Sequence, residues 1–399
     1  MLRINGISIK GINGIEKLDL GFNDGFNLIC GNNGIGKTTI LDCIASSFNR
    51  GSGEVRKNVK FKEEAHWIIE GDMDDNSFIN HTSRVEKSFK EKFNLEERLD
   101  RHGRIRYHNA IKTKDIVNFS IARTTNRRST VAPSFSSRIQ YWMYKNDDSR
   151  LSSIKRAENS RIAKECFSKL NPVTQFSKVV LRYDGGEEDK LSTPERFRKS
   201  NSADIYVNTP TGEIPFDFLS SGYRACLTIL LGIISQTEVT SGYKSVQLFD
   251  GVILIDELDL HLHPAWQAKL IEILRWLVPN AQIIATTHSP HIIQVAKQEE
   301  IIALAYQKPE VNEISRKSVG EYGLQGWTIE EILQDIMGME DVHSKKFKEI
   351  LDDFSKALTN LETQKAEDYY KIIDSMLHPE NHLRKLLKLQ MAPLEKIKK

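Results

Sequence analysis

Long apolar runs are missing from this 399-residue sequence; none approaches the roughly 18 residues a membrane-spanning helix needs. The opening residues, Met1-Leu2-Arg3-Ile4-Asn5, lack the layout of a secretory leader. Cysteine is sparse as well. The four cysteines (Cys30, Cys43, Cys166 and Cys226) are widely spaced and form no C-x-x-C pair, which argues against a structural zinc site. Cys30 and Cys43 lie in apolar surroundings and read as buried free thiols, as suits a reducing compartment. These absences together predict a cytoplasmic protein with no membrane contact. A dominant charge is absent too. Lys and Arg number 56 against 54 Asp and Glu, a net charge of +2, so the whole chain carries no basic signature of nucleic-acid binding. Residues 51 to about 165 show no sustained heptads and hence no long coiled coil. What remains is room for two or three domains, or one large core with insertions.

Against these absences stands Gly31-Asn32-Asn33-Gly34-Ile35-Gly36-Lys37-Thr38, a complete phosphate-binding loop of the form G-x-x-x-x-G-K-[ST]. Its ligand is a nucleoside triphosphate with magnesium. Gly31 and Gly36 allow positive φ and bring backbone N–H groups against phosphates. Lys37 offers a point charge to the β and γ oxygens, and Thr38 a hydroxyl to the metal. Asn32, Asn33, Gly34 and Thr39 complete the candidate phosphate contacts. The flanks agree: Phe26 to Cys30 reads as a short buried strand, and Thr39 to Phe48 as a helix whose positive end faces the phosphates.

Three further stretches follow. Val252-Ile253-Leu254-Ile255 reads as a central strand with Asp256 and Glu257 at its carboxyl end, where open α/β sheets place ligands. Asp256 is the candidate to hold Mg2+ through water, and Glu257 to orient or deprotonate an attacking water. Leu219-Ser220-Ser221-Gly222-Tyr223-Arg224 precedes an apolar helix, Ala225 to Ile234; read alone, it is a serine pair capping that helix. Ala281 to Thr287 is an apolar strand that delivers His288 at its carboxyl end.

The order of these elements, after an N-terminal β stretch (Leu2 to Phe22), resembles a cassette-type (ABC-type) ATPase head of the SMC/RecF/OLD kind. The resemblance covers residues 1–50 and about 165–305. It implies an α/β fold: an N-terminal β subdomain plus a mixed phosphate-loop sheet with helices. Residues 51–164 then form an α+β insertion, and 306–399 a small helical region. It also implies that Ser220 and Gly222 belong to the family's signature motif, completing the site of an opposite protomer. His288 matches the switch histidine that contacts the γ-phosphate. At the position of the family's D-loop aspartate this chain has His263, within Leu262-His263-Pro264, and the resemblance assigns it to a contact across the dimer. His261 and His263 at i, i+2 also allow a metal pair. A glutamine loop is expected between residues 50 and 200, with Gln140 and Gln175 both eligible.

Within the insertion, Ala65 to Ile69 and Ile116 to Ile121 read as strands, and Val85 to Leu99 as a polar helix. Residues 101–164 are basic (Arg101, Arg104, Arg106, Arg127 and Arg128 among others), with Tyr107, Tyr141, Trp142 and Tyr144 interleaved. That pattern fits a nucleic-acid track with stacking faces, or equally a solvated basic surface or a protein contact balanced by acids elsewhere. Arg123, at the end of a strand-like run, is a candidate to point into the nucleotide site. Gln236 to Lys244 reads as a surface loop. Downstream, Thr328-Ile329-Glu330-Glu331 is a capping box, Gly338 a helix stop, and Phe347, Ile350, Leu351, Phe354, Leu358 and Leu361 one helical face. Two more helices, about Gln364–Leu377 and His382–Leu389, are expected. Residues 306–399 contain no D-x-D, so the two-metal nuclease of OLD-type proteins is not expected there.

The compact insertion, Ser-Ser-Gly-Tyr-Arg signature, Leu-His-Pro loop and short helical tail resemble ATPase components of anti-phage systems, the Septu-type form also found in some retron systems. The expected function is an ATPase (ATP and Mg2+ as ligands) in which two heads sandwich ATP and set the state of a separate HNH-type nuclease. A RecF-like repair ATPase that binds DNA directly is the alternative.

Overall fold

Alternating apolar residues from Leu2 to Gly21 fold as a hairpin, β1 (Leu2–Ile12) and β2 (Ile15–Gly21), paired antiparallel with Ile12 opposite Ile15. Asn13 takes a φ of 48° in the two-residue Asn-Gly turn, the left-handed backbone such hairpins require. This computed structural model describes residues 2–48, 55–58, 61–73, 76–85, 88–94, 116–120, 135–147, 154–181, 203–241, 245–260, 262–308 and 313–397. The chain divides into two units, Met1–Ile332 and Leu333–Lys399.

In the first unit, β3 (Phe26–Gly31) is buried throughout and leads into helix α1 (Lys37–Phe48). Strands β4 (Ala65–Met73), β5 (Asn76–Val85), β6 (Ser88–Asn94) and β7 (Ile116–Ser120) follow. Next come helices α2 (Phe135–Asp147) and α3 (Ile154–Leu170), then strands β8 (Gln175–Leu181), β9 (Ala203–Thr209) and β10 (Gly212–Pro215). Helix α4 (Ser221–Ser241), β11 (Val252–Asp256), α5 (Pro264–Leu277), β12 (Gln282–Thr286), α6 (Pro290–Gln294), β13 (Ile301–Lys308) and β14 (Glu313–Lys317) complete the order.

Eleven strands form one mixed sheet in the order β6-β5-β4-β1-β2-β14-β13-β3-β12-β11-β7. Its first half is an antiparallel ribbon built on β1. In its second half β13, β3, β12, β11 and β7 run parallel. The buried apolar runs of β3, β11 and β12 suit this arrangement, because parallel strands are covered on both faces. Register brings the carboxyl ends of β3, β12 and β11 level: Ile29 pairs with Thr286, and Ile255 with Ala285. A second sheet, β10-β9-β8, packs against α2 and α3.

Several expectations change here. Val85 to Leu99 reads as a helix in the sequence, yet residues 88–94 form strand β6, paired to β5 from Ile79–Asn94 to Val85–Ser88. The open edge of β5 offers backbone partners that a polar helix with no apolar stripe does not have. Residues 95–99 lie outside the described ones. The expected loop from Gln236 is helical up to Ser241. There Thr237 is fully buried and its hydroxyl donates to the Ile233 carbonyl at 2.8 Å, so a polar side chain is satisfied within the helix. Strands from the expected insertion join the main sheet, and β14 carries that sheet past residue 306 to Lys317.

In the basic segment, residues 101–115, 121–134 and 148–153, Arg123 among them, lie outside the described residues. In the described part, Trp142 is buried, and its indole N–H donates to Glu238 at 3.3 Å. It is a core residue and offers no stacking face. Arg161 is taken up by Glu158 and Glu165, and Lys164 by Asp147.

The capping box at Thr328 is present: its hydroxyl accepts from Glu331 N–H, and the Glu331 carboxylate accepts from Thr328 N–H, opening the short helix α7 (Ile329–Glu331). In the second unit Gly338 has the left-handed φ (69°) of a stop, and Met339 N–H closes back on the Leu333 carbonyl at 2.9 Å. Helices α8 (Lys345–Thr359), α9 (Thr363–Met376) and α10 (Leu383–Ile397) pack around Phe347, Phe354, Ala357, Ala366, Ile373, Leu387 and Met391. Leu361, expected on the inner face, is 64% exposed because the chain turns there with a φ of 57°. Among the described residues no helix is long and apolar enough to cross a membrane.

Candidate nucleotide-binding site

Between β3 and α1 the Gly31–Thr38 loop is shaped by its glycines. Gly31 and Gly36 have φ of 139° and 102°. A Cβ at Gly31 would lie 2.5 Å from the Leu304 carbonyl oxygen, and one at Gly36 would lie 2.7 Å from Ile15, so neither position admits a side chain. Lys37 is buried, and its ammonium donates to the carbonyls of Gly31 and Asn32, both at 2.9 Å. Burial lowers its pKa; among the groups that oppose this shift are the carboxylates of Asp259, Asp256 and Glu257, which lie near the lysine. Asn33, Gly34 and Thr38 are exposed, while Thr39 is buried and accepts from Asn13 Nδ2 at 3.2 Å. The first turn of α1 carries no acidic residue, so its positive end is left for an external anion.

Asp256 and Glu257 emerge from β11 beside this loop. The Thr38 hydroxyl donates to Asp256 Oδ1 at 3.1 Å. Thr286, at the end of β12, donates to the same oxygen at 2.7 Å, and its own oxygen accepts the Glu257 N–H at 2.7 Å. One threonine thus links the carboxylate pair to the neighbouring strand. Glu257 holds a φ of 51°, a backbone setting that costs a glutamate free energy and marks a constrained position. Thr38 and Asp256 present a hydroxyl and a carboxylate side by side, hard oxygen donors of the kind that would suit Mg2+. Among the described residues no three of His, Cys, Asp and Glu gather as an all-protein metal cage. His261, half of the considered histidine pair, lies outside the described residues.

Beyond β12, His288 is exposed; partial desolvation, then the Lys37 cation, hold its pKa below the ordinary histidine value. Its backbone N–H donates to Asp259 Oδ1 at 2.9 Å, and the Thr287 hydroxyl donates to the same carboxylate oxygen at 2.7 Å. His263 caps α5: its Nδ1 accepts the Ala265 N–H at 3.3 Å, with Pro264 in the first helical turn. Using Nδ1 as acceptor puts the ring proton on Nε2.

Ser220 and Gly222 lie elsewhere. Ser220 is exposed, its oxygen accepting the Tyr223 N–H at 3.4 Å at the start of α4, and Gly222 is buried. Tyr223 locks this end of the helix, donating its hydroxyl to the Phe167 carbonyl at 2.7 Å and packing edge-on against Trp266. Helix α4 packs on α2, α3, α5 and β7, whereas α1 packs on β1, β3, β4, β11 and β12. Of the two glutamines considered, Gln140 is buried in α2 and Gln175 is exposed at the start of β8. Sequence reading missed Asn13, Thr286, Asp259 and Gln267. Only the Asn13-Gly14 turn pair was a local signal; the others are ordinary residues until the strands are aligned.

The family model described as "AAA domain, putative AbiEii toxin, Type IV TA system" matches residues 26–294, a span that begins at β3 and ends with α6. Septu protein PtuA of Bacillus thuringiensis is 37% identical over 424 aligned positions, which cover 100% of both chains. The chain belongs to the Septu PtuA family. As a member it is an ATP-binding ATPase of anti-phage defence, and the anti-phage resemblance read from the motifs is borne out. A "Retron Vc95 probable ATPase" of Vibrio cholerae serotype O1 biovar El Tor is 31% identical over 107 residues, 27% of this chain and 21% of that protein. Among solved structures, an Smc head bound to the C-terminal winged-helix domain of ScpA aligns with a TM-score of 0.52 and 17% identity, covering 79% of this chain and 98% of that one. That likeness is one of fold, and it bears out the expected ABC- and SMC-type head.

Proposed function

We propose that this Septu PtuA-family chain hydrolyses ATP between two copies of itself and so sets the state of a separate HNH-type effector nuclease. The observation that carries the reading is the meeting of three strand ends at one carboxylate: Asp256 is bonded both by Thr38 of the phosphate loop and by Thr286 of β12. In this reading Lys37 and the loop N–H groups bind the β and γ phosphates. Thr38 and Asp256 hold Mg2+, which when bound neutralises charge on the phosphate oxygens. Glu257 takes a proton from the attacking water, and His288 donates to a γ-phosphate oxygen. The constrained backbone of Glu257 supports its role, since positioning a base is worth more than relaxing it.

Ser220 and Gly222 complete the site of the second copy, and His263 reaches across the same interface. Two facts favour this: Ser220 is exposed, and its helix packs on a different set of elements from α1. The first turn of α4 has no acidic residue, so its positive end suits a partner's γ-phosphate. The nuclease partner rests on the family resemblance.

Two experiments test this. Glu257→Gln should bind ATP with turnover reduced by about a hundredfold or more, and light scattering should show the protein mass doubling with ATP. Lys37→Ala and Ser220→Arg should each be inactive alone, yet regain part of the activity when mixed, because one composite site is then intact. Unchanged turnover in the glutamine variant removes the base assignment. A dead mixture removes the shared site.

A further inference from the structure

Two backbone bonds fold the chain after Glu257: Leu260 N–H bonds the Glu257 carbonyl and Leu262 N–H bonds the Asp259 carbonyl, both at 3.0 Å. Leu258 and Leu262 anchor it in the core. Two clamps then join it to the residues around His288. In the first, Asp259 Oδ1 accepts from the Thr287 hydroxyl (2.7 Å) and the His288 N–H (2.9 Å). In the second, buried Gln267 of α5 donates its amide to the Leu262 carbonyl at 3.0 Å and accepts from the Ser289 hydroxyl at 2.5 Å. Ser289 in turn caps α6 and donates its N–H to Thr287 Oγ1 at 3.0 Å.

The backbone on both sides of His288 is therefore held by the loop that ends in His263, while the two imidazoles themselves stay exposed. We propose that Asp259 and Gln267 are positioning residues that bind the His263 loop and the His288 strand end into one unit, so that a contact made by His263 on a second copy aligns His288 on the γ-phosphate. This rests on the two-copy reading above. The physical reason is that the Gln267 clamp is buried at both ends, and the half-buried Asp259 clamp closes on buried Thr287. Displacing the Leu262 carbonyl, one residue before His263, breaks the buried hydrogen bond from the Gln267 amide unless Gln267 and Ser289 follow, and leaving such a group unpaired is costly. The coupling then transmits head engagement to the chemistry without any contact between the histidines.

The test uses the full chain. Asp259→Ala and Gln267→Met should each lower kcat by about tenfold while the Kd for a fluorescent ATP analogue stays within about threefold. Asp259→Asn, which keeps the Oδ1 acceptor, should recover most of kcat. The decisive measurement is the cycle with His263→Ala: in the Asp259→Ala background it should add no further loss of kcat, because the path it acts through is already cut. Independent losses that multiply overturn the proposal, as does wild-type kcat in both clamp variants. Should Asp259→Ala fail to fold, the same cycle is run with Gln267→Met. If the wild-type chain hydrolyses ATP and Glu257→Gln dimerises yet the cycle is multiplicative, only the clamp fails; if neither occurs, the two-copy reading fails and the clamp with it.

Discussion

At the carboxyl edge of the parallel strands, the candidate side chains hold one another: Thr38 and Thr286 both donate to Asp256, and Lys37 is folded onto its own loop. At the start of α4 the situation is reversed. Ser220 stands exposed, with a single long cap bond at 3.4 Å to its side chain among the described residues. The first region is tied together within one copy; in the second, Tyr223 fixes the helix start while the Ser220 side chain faces outward. On the proposed reading, the difference teaches that binding a nucleotide and turning it over are separable. One uses groups preorganised within a copy, and the other uses a surface that gains its meaning on association.

The comparison breaks most visibly at Lys37. Replacing it with alanine should weaken ATP binding by about a hundredfold or more, since a charged contact to phosphate is lost from a desolvated site. Isothermal titration of the isolated chain measures this, and an affinity within a few-fold of wild type would mean that the loop is not the binding element. Next comes Thr286→Val. It keeps the volume but leaves the Glu257 N–H and Asp256 without their shared partner, at a cost of about 1–3 kcal/mol. It should reduce kcat by about tenfold with binding largely kept; a loss of binding instead would show that Thr286 supports the pocket and not the base.

A third change sharpens the other side. Glu238 accepts from Trp142, Asn146 and Asn159, and so ties α2 and α3 to α4. Glu238→Ala should destabilise the fold by about 2 kcal/mol in urea unfolding while ATP affinity stays unchanged. A parallel drop in affinity would show that the two regions are not separable.

The smallest effect is the titration of His288. Desolvation and Lys37 depress its pKa, so by NMR its ring should titrate below the usual value of about 6.5. Lys37→Ala should move it upward. The sign for stability follows: the folded chain takes up this proton less readily than the unfolded one. The contribution is therefore present above the unfolded pKa and lost as pH falls through the folded value. A titration at or above the ordinary value would contradict the geometry around the ring.

Much of this was legible in the order of residues, and for one reason: the phosphate loop, the Asp256-Glu257 pair and the Ser220-Gly222 turn are each contiguous. Their spacing sets backbone angles and helix ends directly, as the positive φ of Gly31 and Gly36 and the cap bond of Ser220 bear out. Periodicity likewise marked β3, β11 and β12, because strands buried on both faces must be apolar throughout. Only the tertiary structure decided that residues 88–94 join a sheet edge, that Trp142 is core, and that Thr286, Asp259 and Gln267 join three separate loops. Those outcomes depend on which backbone groups and cavities come to lie opposite one another across hundreds of residues. No local pattern encodes that, since a threonine or glutamine acquires its task from a partner that only the folded sheet brings within bonding distance.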